Sequence, residues 1–231
     1  MNTKAARMLD VLIIENKISV FFSKRNDGNM SLNWGNHADV NKNVKNFFQK
    51  AGVGLRKKRV HIKTGHGNRV LILNKKNIDA TRVKGLKHDG VITSCREAVL
   101  TLASADCYPV VMTDKAGSFV SLLHVGRSGA EKKIVSKAIG IVIRRIGVRP
   151  KDIILVVGPG IEECCYSVDL FKMIKQQAIS YCVSHKNIHT TNVCTCCKKG
   201  DNGEHLFFSH RRSMKNGELE GRFLTVVSFL P

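Results

Sequence analysis

Hydrophobic and polar positions along this chain follow two periods. Lys17 to Phe22 alternates in the manner of a half-buried strand, and a Gly/Asn/Ser loop from Asn26 to Asn33 leads to a helix over Asp39 to Ala51. Val60 to Lys63 and Val70 to Leu73 read as strands on either side of His66. Ala98 to Ala103, Pro109 to Thr113 and Phe119 to His124 are three more β-rich runs, the last two joined by a turn at Asp114 to Gly117. From Ala130 to Ile146, apolar residues Ile134, Val135, Ala138, Ile139, Ile141, Val142 and Ile146 recur at helical spacing, and Gly147 and Pro150 end the run. Ile153 to Val157 is continuously apolar, as a buried strand is, and the GPGI turn at Gly158 to Ile161 stops it. A second helix is predicted over Asp169 to Ser184. Strands alternating with helices, without repeats or linkers, predict one mixed α+β domain over residues 1–231.

At 231 residues and 43% hydrophobic content, the chain can bury a substantial core. No apolar run approaches the roughly 20 residues that span a bilayer. Asp10 and Glu15 interrupt the apolar amino-terminal stretch, so it does not read as a signal peptide and a cytoplasmic location is expected. The 8 cysteines are then expected to be reduced thiols. Cys164 and Cys165 are adjacent and should not both meet one partner, while Cys95 and Cys182 read as small buried apolar residues.

Charge is strongly lopsided, with 38 Lys and Arg against 18 Asp and Glu, a formal +20. Between Val40 and Lys87 lysines and arginines crowd together, with Asp79 the single acid. Such a field concentrates phosphate-bearing partners, nucleic acid among them, yet no nucleic-acid-binding motif accompanies it. A solvated basic surface explains it equally well.

Chemistry concentrates at His66 in TGHGNRV, Cys107 in SADCYPVVM and His124 in SLLHVGRSG. Each stands where a predicted strand meets a loop. Two imidazoles and a thiolate suit zinc, and three protein ligands leave a position open for water or substrate, as in catalytic sites. Gly65 and Gly67 flank His66, and Gly126 and Gly129 follow His124, leaving room for close approach. Alternatives remain at this point. Cys107 could be a core cysteine, or Cys107 and His124 could form a metal-free thiolate–imidazole pair of a hydrolase or deamidase. A basic RNA-binding protein without catalysis is the non-enzymatic reading. A second metal group could use Cys194, Cys196 and Cys197 with His205 or His210, although no second CxxC completes it.

The ordered motifs SLNWG, GHGNRV, DGVIT, SADCYPVVM, LLHVGRSG, VGPGIEECCYSVD, CT and FFSHRR, from about Val20 to Leu230, resemble those of the YfiH-type family. Its members were long described as laccase-domain or polyphenol oxidase proteins and are now regarded as purine nucleoside phosphorylases. The resemblance implies a single domain layered α/β/β/α, with zinc on His66, Cys107 and His124. It also implies phosphorolysis of adenosine, inosine, guanosine or methylthioadenosine, with adenosine deamination as a second activity. Copper is the less expected metal, because a multicopper oxidase needs more paired histidines than the 9 here supply.

Several further residues are candidates on chemical grounds. Asp106 could orient a ligand histidine or carry a proton, or simply cap a strand end. Arg25, Arg211 and Arg212 offer guanidinium forks to phosphate, and Asn33 an amide to ribose or base. The sequence departs from the family motifs at Thr64, Arg127 and Ser128, and His210 stands where the family has a tyrosine. Purine nucleosides and phosphate are the expected partners, with no membrane association and a monomer or homodimer as the assembly.

Overall fold

Two β-sheets packed face to face carry the molecule, with helices on both outer surfaces. The computed structural model describes residues 11–53, 58–78 and 87–230. The expectations on Asp10, Asp79 and part of the basic stretch lie outside these residues. The first sheet runs in the order β1 (Val11–Ile14), β2 (Ile18–Phe22), β11 (Phe223–Phe229), β6 (Ala98–Ser104), β3 (Lys58–His61). The second runs β10 (Ile188–Thr190), β9 (Ile153–Val157), β7 (Tyr108–Asp114), β8 (Val120–Val125), β5 (Gly90–Thr93), β4 (Val70–Leu73). Edge pairs β3–β6, β4–β5 and β9–β10 are parallel, and the remaining pairs are antiparallel.

Between the sheets lies a core in which Phe22, Leu100, Leu102 and Phe223 meet Val111, Leu122 and Val156. Strands buried on both faces read as continuous apolar runs, which is why Ile153–Val157 showed no alternation. Helix α1 (His37–Lys50) lays Phe47 and Phe48 on Phe21, Val99 and Leu224 of the first sheet. Helices α3 (Ile134–Ile146) and α4 (Leu170–Ile179) cover the second sheet through Ile134, Ala138, Ile139 and Ile174. The layering is therefore α/β/β/α, as the resemblance implied.

Three local differences from the sequence reading have physical causes. The single helix over Ala130 to Ile146 is broken into α2 (Arg127–Glu131) and α3, with Lys133 left-handed at φ 57° between them. Gln177 of α4 makes the break possible. Its buried amide oxygen accepts the Val135 and Ser136 N–H groups at 3.1 and 3.2 Å, and its Nε2 donates to Ala130 O at 2.9 Å. Helix ends leave such groups without helical partners, so one glutamine satisfies both termini. The second helix starts as expected, with the Asp169 carboxylate accepting Lys172 N–H at 2.7 Å, but stops at Ile179, short of the predicted Ser184. Cys182 lies in the turn beyond it at φ 61° and is exposed, unlike the buried Cys95. Helix α5 (His210–Asn216) is the last helix among the described residues, and β11 follows it.

Candidate active site

The chain passes from the first sheet to the second by two adjacent routes, the loop from β3 to β4 and the short turn from β6 to β7. His66 lies on the first, Cys107 on the second, and His124 near the end of β8 between them. Their donor atoms all fall within 4.8 Å of one another. The His66 and His124 rings meet edge to face with centroids 4.9 Å apart. His124 is buried, Cys107 half-buried and His66 exposed on the cleft side.

A carboxylate that sequence reasoning passed over builds this corner. Asp89, nearly inaccessible just before β5, accepts backbone N–H groups from Gly65 (3.1 Å), His66 (2.9 Å) and Gly67 (2.8 Å). The loop thus wraps its amides around one anion, and His66 takes a left-handed conformation at φ 55° to do so. Asp89 also holds His124 Nδ1 at 2.9 Å, and its main-chain oxygen accepts His124 N–H at 2.7 Å. With Nδ1–H directed at the carboxylate, Nε2 of His124 is left to offer a lone pair to the cleft, the usual arrangement behind a metal-ligating histidine. The only hint in the sequence was an acid set before the buried run GVIT in a basic region.

Electrostatics tie the three groups together. Burial opposes a charge on Cys107, but His124 and His66 outweigh it and bring the thiol down to about 6. Burial likewise opposes a charge on His124, whereas Cys107 and Asp89 favour it and lift the imidazole to about 9. Asp89 is lowered to about 2 because His124 and the loop amides outweigh its burial. Both shifts favour a thiolate on Cys107 beside an imidazolium on His124. Gly126 makes the close packing possible: a β-carbon there would stand 2.6 Å from Cys107 Sγ.

This corner is one end of a cleft of about 1200 Å³. Lys63, Lys87, Arg127, Arg211 and Arg222 line it, and Asp106 is its only acidic lining residue among the described residues. Asn33 and Trp34 also line the cleft, with the Arg222 guanidinium 4.6 Å from the Trp34 ring. Arg211 lies 5.2 Å from the Tyr166 ring. His210 turns its Nδ1 to Glu220 beside them.

Three expected roles fall differently. Asp106 does not orient a histidine, since its carboxylate oxygens accept Thr195 Oγ1 at 2.8 Å and Arg211 N–H at 2.7 Å; Asp89 performs that task. Asp106 instead fixes the turn that carries Cys107, at φ 76°. Arg25 is not in the cleft: its guanidinium pairs with Glu218 at 3.0 Å beside a separate hollow lined by Asn26, Glu204 and His205. Arg212 is buried, bound to Glu218 and to the carbonyls of Thr195, Cys196 and Phe207, so it braces the chain and does not face a ligand.

Neither His205 nor His210 joins the carboxy-terminal cysteines in a donor group among the described residues. The sulfurs of Cys194 and Cys197 gather instead with those of Cys164 and Cys165, all within 4.8 Å, so the adjacent pair does converge on common neighbours.

The family model described as multi-copper polyphenol oxidoreductase laccase matches residues 19–170 and 166–230. A Clostridium acetobutylicum protein named purine nucleoside phosphorylase is 27% identical over 92% of each chain. The structure of a hypothetical protein YfiH from Bacillus licheniformis superposes with a TM-score of 0.83 at 23% identity, over 97% of this chain and 98% of that one. YlmD from Geobacillus stearothermophilus superposes at 0.81 and 22% identity, over 93% and 92%. Among the described residues, no helix is long and apolar enough to cross a membrane.

Proposed function

We propose that this chain, which belongs to the family described as multi-copper polyphenol oxidoreductase laccase, is a zinc-dependent purine nucleoside phosphorylase. The carrying observation is the joining, in one cleft, of the His66, Cys107 and His124 donor group to a cationic wall. The relative named purine nucleoside phosphorylase spans nearly the same length and supports the reading. Adenosine, inosine, guanosine and methylthioadenosine are the proposed nucleosides, with adenosine deamination as a second activity and the cytoplasm as the location.

The donor set fits zinc. A thiolate and two imidazoles, one oriented by a carboxylate, match a catalytic zinc site. Only two of the chain's 9 histidines enter a donor group among the described residues, too few for a multicopper centre. When bound, zinc would supply a Lewis-acidic positive charge with one coordination position open.

The reaction requires a phosphate oxygen to bond to C1′ of the ribose while the C1′–N9 bond breaks. Its electron pair leaves on the purine, which takes up a proton. Positive charge builds on the sugar and negative charge on the base, so preorganised charge in the cleft lowers the barrier. Lys63, Lys87 and Arg211 attract and hold phosphate, Arg211 with its backbone N–H anchored on Asp106. The Asn33 amide and Trp34 ring hold nucleoside in the same cleft. Cys107 and the two histidines mark the reactive end.

Incubating each nucleoside with and without phosphate, and identifying the products by mass spectrometry, tests the assignment. Free base and ribose 1-phosphate are expected only with phosphate. Failure of ribose 1-phosphate to appear from zinc-loaded protein overturns it. The thiolate–imidazolium pair favours one competing reading, a metal-free cysteine hydrolase, for which cleavage would persist in protein stripped of zinc. Salt-sensitive RNA binding untouched by Cys107→Ala would instead favour a basic RNA-binding protein.

A further inference from the structure

The second group of sulfurs lies away from the donor corner, where two loops leave the second sheet side by side. After β9, the turn at Glu162 carries Cys164 and Cys165, with the Cys165 and Tyr166 N–H groups closing on Glu162 O at 2.9 and 3.0 Å. After β10, the segment from Cys194 to Lys198 forms another turn, with Lys198 N–H on Cys194 O at 3.1 Å. Gly160 stitches the two together, donating to Val193 O at 3.2 Å and accepting Thr195 N–H at 2.9 Å. The four sulfurs of Cys164, Cys165, Cys194 and Cys197 therefore meet, with Cys164 and Cys197 at 3.5 Å.

We propose that Cys164, Cys165, Cys194 and Cys197 form a tetrathiolate site that binds one zinc ion and locks these two loops together. Four sulfurs at mutual distances of 4.8 Å or less surround one centre, and 3.5 Å is far beyond the roughly 2.05 Å of a disulfide. Sulfurs about 2.3 Å from a tetrahedral zinc stand close to that mutual spacing. Cys194 and Cys197 supply a CxxC turn whose backbone is already arranged for a thiolate. Cys194 Sγ accepts the Glu162 N–H at 3.5 Å and those of Cys196 and Cys197.

With four protein ligands the site has no open position, and its role is structural. It braces the cleft from behind. Tyr166, against which Arg211 lies, follows Cys165 directly, and Thr195, which holds Asp106, follows Cys194. Cys196 is outside the four; its carbonyl is held by Arg212.

Full-length protein purified under reducing conditions in the presence of zinc is predicted to hold two zinc ions per chain by elemental mass spectrometry. The count should fall to one in Cys164→Ser/Cys197→Ser and stay at two in Cys196→Ser. The wild-type chain gives a second readout that does not depend on variants folding. Cys164 and Cys197 are exposed, so alkylation followed by peptide mapping should find them at least about ten-fold slower with zinc than after chelation, while exposed Cys182 reacts alike in both. Equal rates for Cys164 and Cys197 in the two states overturn the proposal. So does a Cys164–Cys197 disulfide in the zinc-loaded protein, or a zinc count unchanged in a folded double variant.

Discussion

Replacing Asp89 by asparagine tests the architecture of the donor corner with the smallest possible change in shape. The carboxylate accepts three loop N–H groups and His124 Nδ1, four donors on one nearly inaccessible anion. An asparagine keeps one acceptor oxygen and turns an N–H₂ group toward a donor, so at least one buried donor loses its partner and the rest lose charge assistance. An unsatisfied buried group costs about 1–3 kcal/mol, and hydrogen bonds to a charge are worth about 1.5–3 kcal/mol each, so a total near 3 kcal/mol is expected. At this chain length each kcal/mol lowers Tm by about 2–4 °C, giving a fall of roughly 6–12 °C for the metal-free protein in calorimetry. Loss of the partner behind a ligating histidine should also weaken zinc binding by about 10–100-fold in competition with a chromophoric chelator. Glu131→Gln is the control, since the Arg127–Glu131 pair is more than half exposed on both sides and should move stability by less than about 1 kcal/mol. Asp89→Asn protein with unchanged Tm and zinc affinity would refute the role given to Asp89.

Gly126→Ala, at a position of ordinary backbone conformation, drives a methyl into Cys107 Sγ, and zinc per chain measured after dialysis should drop. Gln177→Leu leaves the Val135 and Ser136 N–H groups and the Ala130 carbonyl without their partner and should cost about 2–4 kcal/mol in urea unfolding; a loss below about 1 kcal/mol contradicts its bracing role. Arg211→Ala should raise the KM for phosphate several-fold while Arg25→Ala leaves it unchanged, because Arg25 is committed to Glu218 outside the cleft. Glu218 is opposed by burial, but Arg212, Asn216 and Arg25 bring its carboxyl down to about 2. A folded pKa below the unfolded one gives stability that is present above about pH 4.5 and lost as pH falls towards 2, so acid unfolding should be less steep over that window in Glu218→Gln.

Features carried by local periodicity were legible in the chain. The apolar repeat of α3 and the continuous run of β9 predicted their elements closely, since each is dictated by one buried face or two. The break before α3 was not, because its cause is Gln177, 42 residues from Val135. Residue types at strand ends pointed to His66, Cys107 and His124, and the two crossings between sheets bring them together. Asp89 escaped notice because its partners lie 22 to 35 residues away, in a segment that reads only as basic. The roles of Arg25 and Asp106 were hidden for a similar reason, as their partners Glu218, Thr195 and Arg211 come from the carboxy-terminal third. Adjacency alone argues against Cys164 and Cys165 sharing a partner, but the turn at Glu162 bends both sulfurs towards Cys194 and Cys197.

The most direct test of phosphorolysis at the donor corner is ribose 1-phosphate formation from inosine and inorganic phosphate, measured side by side for zinc-loaded wild type, chelator-stripped wild type and folded Cys107→Ala. Product is expected from the first alone. Undiminished product from Cys107→Ala would contradict phosphorolysis at the donor corner.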